Sequence, residues 1–213
     1  MNKIGLEAEV LRFPAPNKYQ SEKMKKGESD MIAFRKYTVR DILFLAVLAA
    51  VLLLVGMLTM PLVMAVDLFG LRNLASAPLY GFFCAIGLLR VPKPGALTLV
   101  ALFLGTVLLM MSPLMTLNHI IGALLAEGIT LLIFRGYRTK TSILTVCGLF
   151  IPLTLPLSLV FNLAINGKSF AEIITYPLYS VLLSLGTVAL SFLGAWLGLR
   201  LGRELEKAGV LKS

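Results

Sequence analysis

An all-α, multi-pass membrane protein is the fold class this sequence predicts, and three observations carry the prediction. Hydrophobic residues make up 58% of the 213 and charged residues 15%, with a mean hydropathy of +0.88; that balance belongs to a polytopic membrane protein. Six apolar runs of near-bilayer length follow one another, which a soluble fold of this size would not need. The basic residues gather at the two ends and in two short loops, as the positive-inside rule expects of cytoplasmic segments.

Residues 1–36 are polar and mixed in charge, with Pro14 and Pro16 ahead of a KMKKGESD stretch. No short apolar region is followed by a small-residue cleavage site, so the segment does not read as a signal peptide. It reads as a mostly disordered cytoplasmic tail, or as an extension ahead of Met24 or Met31. The membrane domain is expected over residues 37–213, entered through Arg35, Lys36 and Arg40 on the inner side.

The first span is expected over residues 41–60, where Ala46, Ala49 and Ala50 form a small-residue patch that lets another helix come close. Residues 61–74 read as a linker too apolar for an ordinary loop, marked by Asp67 and Arg72, and suited to an interfacial or re-entrant segment. The second span covers residues 75–89. A tight turn from Arg90 to Gly95 follows, set by its prolines and glycine. The third span is residues 96–111, closed by Ser112-Pro113, and the fourth is residues 117–134.

The fifth span, residues 142–165, holds Pro152 and Pro156, expected to bend or break the helix and free carbonyls that need a polar neighbour. A loop over residues 166–175 leads to the sixth span, residues 176–199, whose end carries Gly194, Gly198 and Gly202 as a small-residue ladder. Six spans with both termini cytoplasmic leave every one of the 20 Lys and Arg residues inside except Arg72 and Lys168.

The fourth span holds the chain's single histidine, His119, and an acid, Glu127, within apolar sequence. A charge at membrane depth costs at least ~2.5–3.5 kcal/mol on insertion scales, so it seldom stands there without a partner or a job. Eight positions separate the two, roughly 12 Å along a helix and about 80° around it. They can line one cavity but cannot touch. Asn118 reads first as a helix cap, and His119 equally as an interfacial residue or a ligand contact. Asn162 and Asn166 stand one turn apart at the outer end of the fifth span.

Several function classes lack their residues. The net charge of +9 is distributed as a topology signal, so nucleic-acid binding is not expected. No HExxH, GxSxG or acidic cluster provides hydrolytic or phosphotransfer chemistry, so no enzyme is expected. Cys84 and Cys147 lie inside apolar runs and read as buried small hydrophobes, and no cofactor or metal centre is expected. There is no GxxxxGK[ST] phosphate loop, so ATP-driven work would fall to another chain. A small stand-alone secondary transporter using Glu127 as an ion or proton site remains open.

Tyr37-Thr-Val-Arg-Asp41-Ile running into Ala46-x-x-x-Ala50 resembles the first helix of the substrate-binding S components of energy-coupling factor (ECF) transporters. Arg90-Val-Pro-Lys-Pro-Gly95-Ala, followed by Gly122-Ala-Leu-Leu-Ala-Glu127-Gly and a basic turn, is similar to the MptD-type branch of S components. The likeness covers roughly residues 37–200. It implies a prokaryotic plasma-membrane subunit that binds a vitamin or other micronutrient on the outer side. Such a subunit docks on a transmembrane coupling subunit driven by two ABC-type ATPases. It further implies that Ala46, Ala49 and Ala50 face the coupling subunit and that residues 61–74 close over the substrate. Asn118, His119, Asn162 and Asn166 would lie at substrate depth. Glu127 would lie below it, in a structural or coupling role.

Overall fold

The computed structural model describes residues 37–64, 68–137 and 139–208, and these form seven helices. They are α1 (Val39–Met64), α2 (Leu71–Arg90), α3 (Ala96–Leu108), α4 (Pro113–Phe134), α5 (Lys140–Ala164), the single turn α6 (Phe170–Ile173) and α7 (Pro177–Lys207). The expected tail, residues 1–36, lies outside the described residues, as does Asp67. Among the described residues, four helical stretches are long and apolar enough to cross a membrane: Val39–Thr59, Pro113–Phe134, Lys140–Ala164 and Pro177–Leu205. The protein is therefore an all-α, membrane-embedded, multi-pass chain. Helix α3 has 13 residues; at 1.5 Å per residue it reaches about 20 Å, less than the ~30 Å hydrocarbon core.

Outward faces are apolar in the way lipid requires. Leu132 is 84% exposed, Leu58 75% and Leu178 71%, which in water would be an aggregation surface. The inside is closed by Leu45 and Leu52 of α1, Leu88 of α2, Leu97 and Leu104 of α3, and Phe150 of α5. Cys84 and Cys147 are free and buried in this interior.

Several expected boundaries shift, each for a local reason. Helix α1 continues through Pro61 to Met64, because a proline deletes one backbone bond without forcing a break where neighbouring turns hold the helix. The expected linker over residues 61–74 thus loses residues 61–64 to α1 and residues 71–74 to α2, and Arg72 belongs to the first turn of α2. Helix α4 begins at Pro113 with Ser112 as its N-cap, since proline's missing N–H is an orphan at that position anyway. Asn118 is therefore in the second turn and does not cap the helix. Helix α5 runs unbroken through Pro152 and Pro156. The loop over residues 166–175 contains α6, opened by a capping box in which Ser169 and Glu172 satisfy each other's backbone N–H.

The glycine ladder packs within the chain. A Cβ on Gly194 would collide with the Pro78 carbonyl, and one on Gly198 with the Phe82 carbonyl. From the other side, a Cβ on Gly81 would come 2.5 Å from the Ser191 carbonyl oxygen. Helices α2 and α7 therefore meet backbone to backbone, the close approach that small residues permit in lipid. Gly194→Ala is expected to cost about 1–3 kcal/mol by overpacking, read as a lowered Tm in detergent. Gly128→Ala, whose added carbon would meet no described atom within 4 Å beyond its chain neighbours and its own helix backbone, should leave Tm unchanged or raise it.

Candidate functional site: two polar clusters at opposite ends of the bundle

Successive long helices alternate in direction, so sequence-distant segments meet at each end. One end gathers the start of α1, the α2–α3 turn, the start of α3 and the end of α4. Helix α1 opens with Thr38 and Asp41 bonded reciprocally, Thr38 N–H to Asp41 Oδ2 at 3.0 Å and Asp41 N–H to Thr38 Oγ1 at 3.3 Å. The same Asp41 Oδ2 pairs with Lys93 Nζ at 2.5 Å. Lys93 also sits 5.4 Å from the centre of the Tyr37 ring, and the Tyr37 hydroxyl donates to the Pro94 carbonyl at 2.7 Å. The α2–α3 turn is thereby clasped to the foot of α1.

Glu127 lies buried at the same end, 4% exposed. Its Oε1 accepts from the Leu97 backbone N–H at 2.9 Å and from the Tyr137 hydroxyl at 2.7 Å. Its Oε2 accepts from the Thr98 hydroxyl at 2.5 Å. Leu97 is in the first turn of α3, whose N–H groups have no intrahelical partners. The carboxylate therefore caps a neighbouring helix from the side, where the helix dipole favours negative charge. Arg135, in the left-handed conformation at φ 54, ends α4 and turns the chain so that Tyr137 returns beneath Glu127. Burial, and then the nearby Glu127, hold the Tyr137 hydroxyl well above the usual tyrosine range, so it stays a proton donor.

The other end holds a cavity of about 170 Å³. Helix α2 supplies Arg72, Asn73, Ser76 and Tyr80, α4 supplies Asn118 and His119, and α5 supplies Thr154 and Ser158. Helices α1 and α3 complete it with Leu53, Gly56 and Met57, and with Val107 and Leu108. Asn73 donates to the Thr154 hydroxyl at 2.8 Å, and Thr154 donates onward to the Ile151 carbonyl at 2.6 Å, which ties α2 to the proline-rich part of α5. His119 Nδ1 lies 2.8 Å from the Met115 carbonyl. Because a carbonyl only accepts, Nδ1 carries the proton. Its ring stands 6.3 Å from that of Tyr80 and 6.3 Å from that of Phe150.

Of the residues singled out from sequence, Asn118 and His119 come together in this cavity. Asn162 and Asn166 do not line it. Asn162 donates to the Ser158 carbonyl at 2.8 Å, and Asn166 donates to Asn162 Oδ1 at 3.0 Å, so the pair is engaged along α5. Glu127 belongs to the opposite end. Ala49 is buried inside the bundle, while Ala46 is half-buried and Ala50 exposed on α1. Arg72, Asn73, Tyr80, Thr154 and Ser158 were not among the candidates. A wider groove of about 500 Å³ between α5 and α7 is apolar apart from Ser180 and Ser184. It offers no charge to select a ligand, whereas the smaller cavity has the few convergent polar groups that mark a specific site.

Glu127→Gln puts an amide N–H₂ where three donors converge, and should lower stability by about 1–3 kcal/mol. Tyr137→Phe, which removes one donor, should cost about 0.5–1.5 kcal/mol. Chemical denaturation in mixed micelles measures both, and the double variant should lose less than the two single losses together. Comparison of the chain with family models, with curated proteins and with solved structures gives no match.

Proposed function

We propose that this chain is the substrate-binding subunit of an ATP-driven uptake transporter of the ECF type, and not an enzyme by itself. The observation that carries the reading is the polar cavity holding Arg72, Asn118 and His119 inside an otherwise apolar bundle. Polar side chains in such surroundings mark a solute site or pathway.

Support comes also from the opposite end. Tyr37, Asp41, Lys93, Pro94 and Glu127, drawn from the segments that resemble MptD-type S components, take part in the two hydrogen-bonded clusters at that end. In this reading the chain makes six passes through the prokaryotic plasma membrane with both termini cytoplasmic, the short α3 completing its pass with the turn at residues 109–111, which puts the cavity at the outer face. The substrate is a vitamin or other micronutrient, captured there and released inside after docking on a coupling subunit with two ABC-type ATPases. Ala46 and Ala50 on α1 form the docking stripe, and Ala49 supports it from within. Glu127 serves structure: its oxygens are occupied by three donors, an arrangement that favours a fixed cap over a site that loads and releases an ion.

Affinity purification of the tagged chain from its own membranes should recover a membrane coupling subunit and two ATPases. Recovery of the chain alone, with uptake intact, would instead support a stand-alone carrier. Ala46→Trp should abolish the capture while leaving the chain folded. Undiminished capture would show that this stripe is not the docking face.

A further inference from the structure

The groups around the cavity restrict what it can hold. Among the described residues Arg72 is the one cation that lines it, and no carboxylate lies within ion-pair range of Arg72. Asn118 Oδ1 is buried and has no hydrogen-bond partner among the described residues, a state that native structures rarely leave unanswered. His119 spends its Nδ1–H on the Met115 carbonyl, so in the neutral ring Nε2 is an acceptor. One cation and two acceptors therefore stand around an otherwise neutral space.

We infer that the cavity selects a compact organic carboxylate that also carries an N–H or O–H donor, with the carboxylate on Arg72 and the donor on Asn118 Oδ1. This rests on the substrate-binding reading above and narrows it to a class. An inorganic anion such as sulfate offers only acceptors and leaves Asn118 Oδ1 unanswered, while a cationic ligand meets the Arg72 charge with no carboxylate among the described residues to offset it. The cavity volume of about 170 Å³ lies below the ~300 Å³ at which drug-sized sites begin, which sets the scale at a small ring or short chain. A planar donor ring also has an aromatic wall to rest on, since Tyr80 lines the cavity beside His119.

Three probes of nearly equal shape separate the contributions: pyrrole-2-carboxylate, furan-2-carboxylate and pyrrole-2-carboxamide. Calorimetry on the purified full chain in detergent should show pyrrole-2-carboxylate binding at least about tenfold more tightly than either of the others, as loss of a charged or buried hydrogen bond implies. Arg72→Gln should bring the acid and its amide to equal affinity, and Asn118→Leu should do the same for the pyrrole and furan acids. Arg72 is exposed, so its replacement is compatible with folding, and the wild-type ranking decides the matter even if Asn118→Leu does not fold. Equal affinities of the three probes, absence of acid binding, or an acid preference that survives in Arg72→Gln would overturn the assignment. Failure here with the coupling subunit and ATPases still captured removes the ligand class alone. Loss of that capture with the probe ranking intact removes the transporter subunit reading and leaves the class.

Discussion

Glu127 and the first turn of α3 make the contact on which the remainder of the bundle depends. Helix α3 has 13 residues, and its first turn is shut off from solvent, with Ala96 and Leu97 both fully buried. Unpaired N–H groups there would cost several kcal/mol each. A carboxylate brought in from α4 answers the Leu97 N–H and the Thr98 hydroxyl together, and the turn through Arg135 brings Tyr137 to the same oxygen. A buried carboxyl group and an uncapped short helix are each unfavourable alone. Placed together, each satisfies the other.

That anchoring reaches the far end through packing. Gly105 of α3 lies so close to α4 that an added Cβ would stand 3.1 Å from Thr116 Cγ2, and the Thr116 hydroxyl donates to the Gly105 carbonyl at 3.0 Å. Two and three residues beyond Thr116 are Asn118 and His119. The position of α3 along its axis thus sets where the first turns of α4 present their polar side chains. On the other side, the contact of α2 with α7 through Gly81, Gly194 and Gly198 fixes the helix that supplies Arg72 and Tyr80. One end of the bundle is a closed polar cluster in which donors meet acceptors. The other retains a polar cavity with an acceptor, Asn118 Oδ1, that no described residue answers.

Much of this was legible in the sequence. The order of the apolar runs, the turn from Arg90 to Gly95, and the singularity of Glu127 and His119 all correspond to observed elements, because hydropathy and proline-glycine turns act locally. Arg72 was obscured because Pro61 reads as a breaker; the helix absorbs it, and the linker that seemed to hold Arg72 becomes the start of α2. Asn118 was misplaced as a cap because Ser112-Pro113 reads as the end of one helix when it is the N-cap and first residue of the next, a signal present in the sequence. Tyr80, Thr154 and Ser158 could not be found from spacing, since only the tertiary approach of α2 to α5 distinguishes them from other polar residues in apolar helices. The partner of the glycine ladder was equally hidden, because small-residue spacing says that a helix comes close without saying which.

The central claim is that the cavity lined by α1 to α5 is a binding site for a small molecule. Gly56 lines that cavity, and a Cβ there meets only the Tyr80 hydroxyl, at 3.4 Å, so Gly56→Leu fills the space without forcing the backbone apart. Native mass spectrometry of the full chain purified from its own membranes gives the most direct test. The account predicts a low-mass adduct at one per chain on the wild type and its absence from Gly56→Leu. A wild-type chain that carries no such adduct, or an adduct retained undiminished by Gly56→Leu, would contradict it.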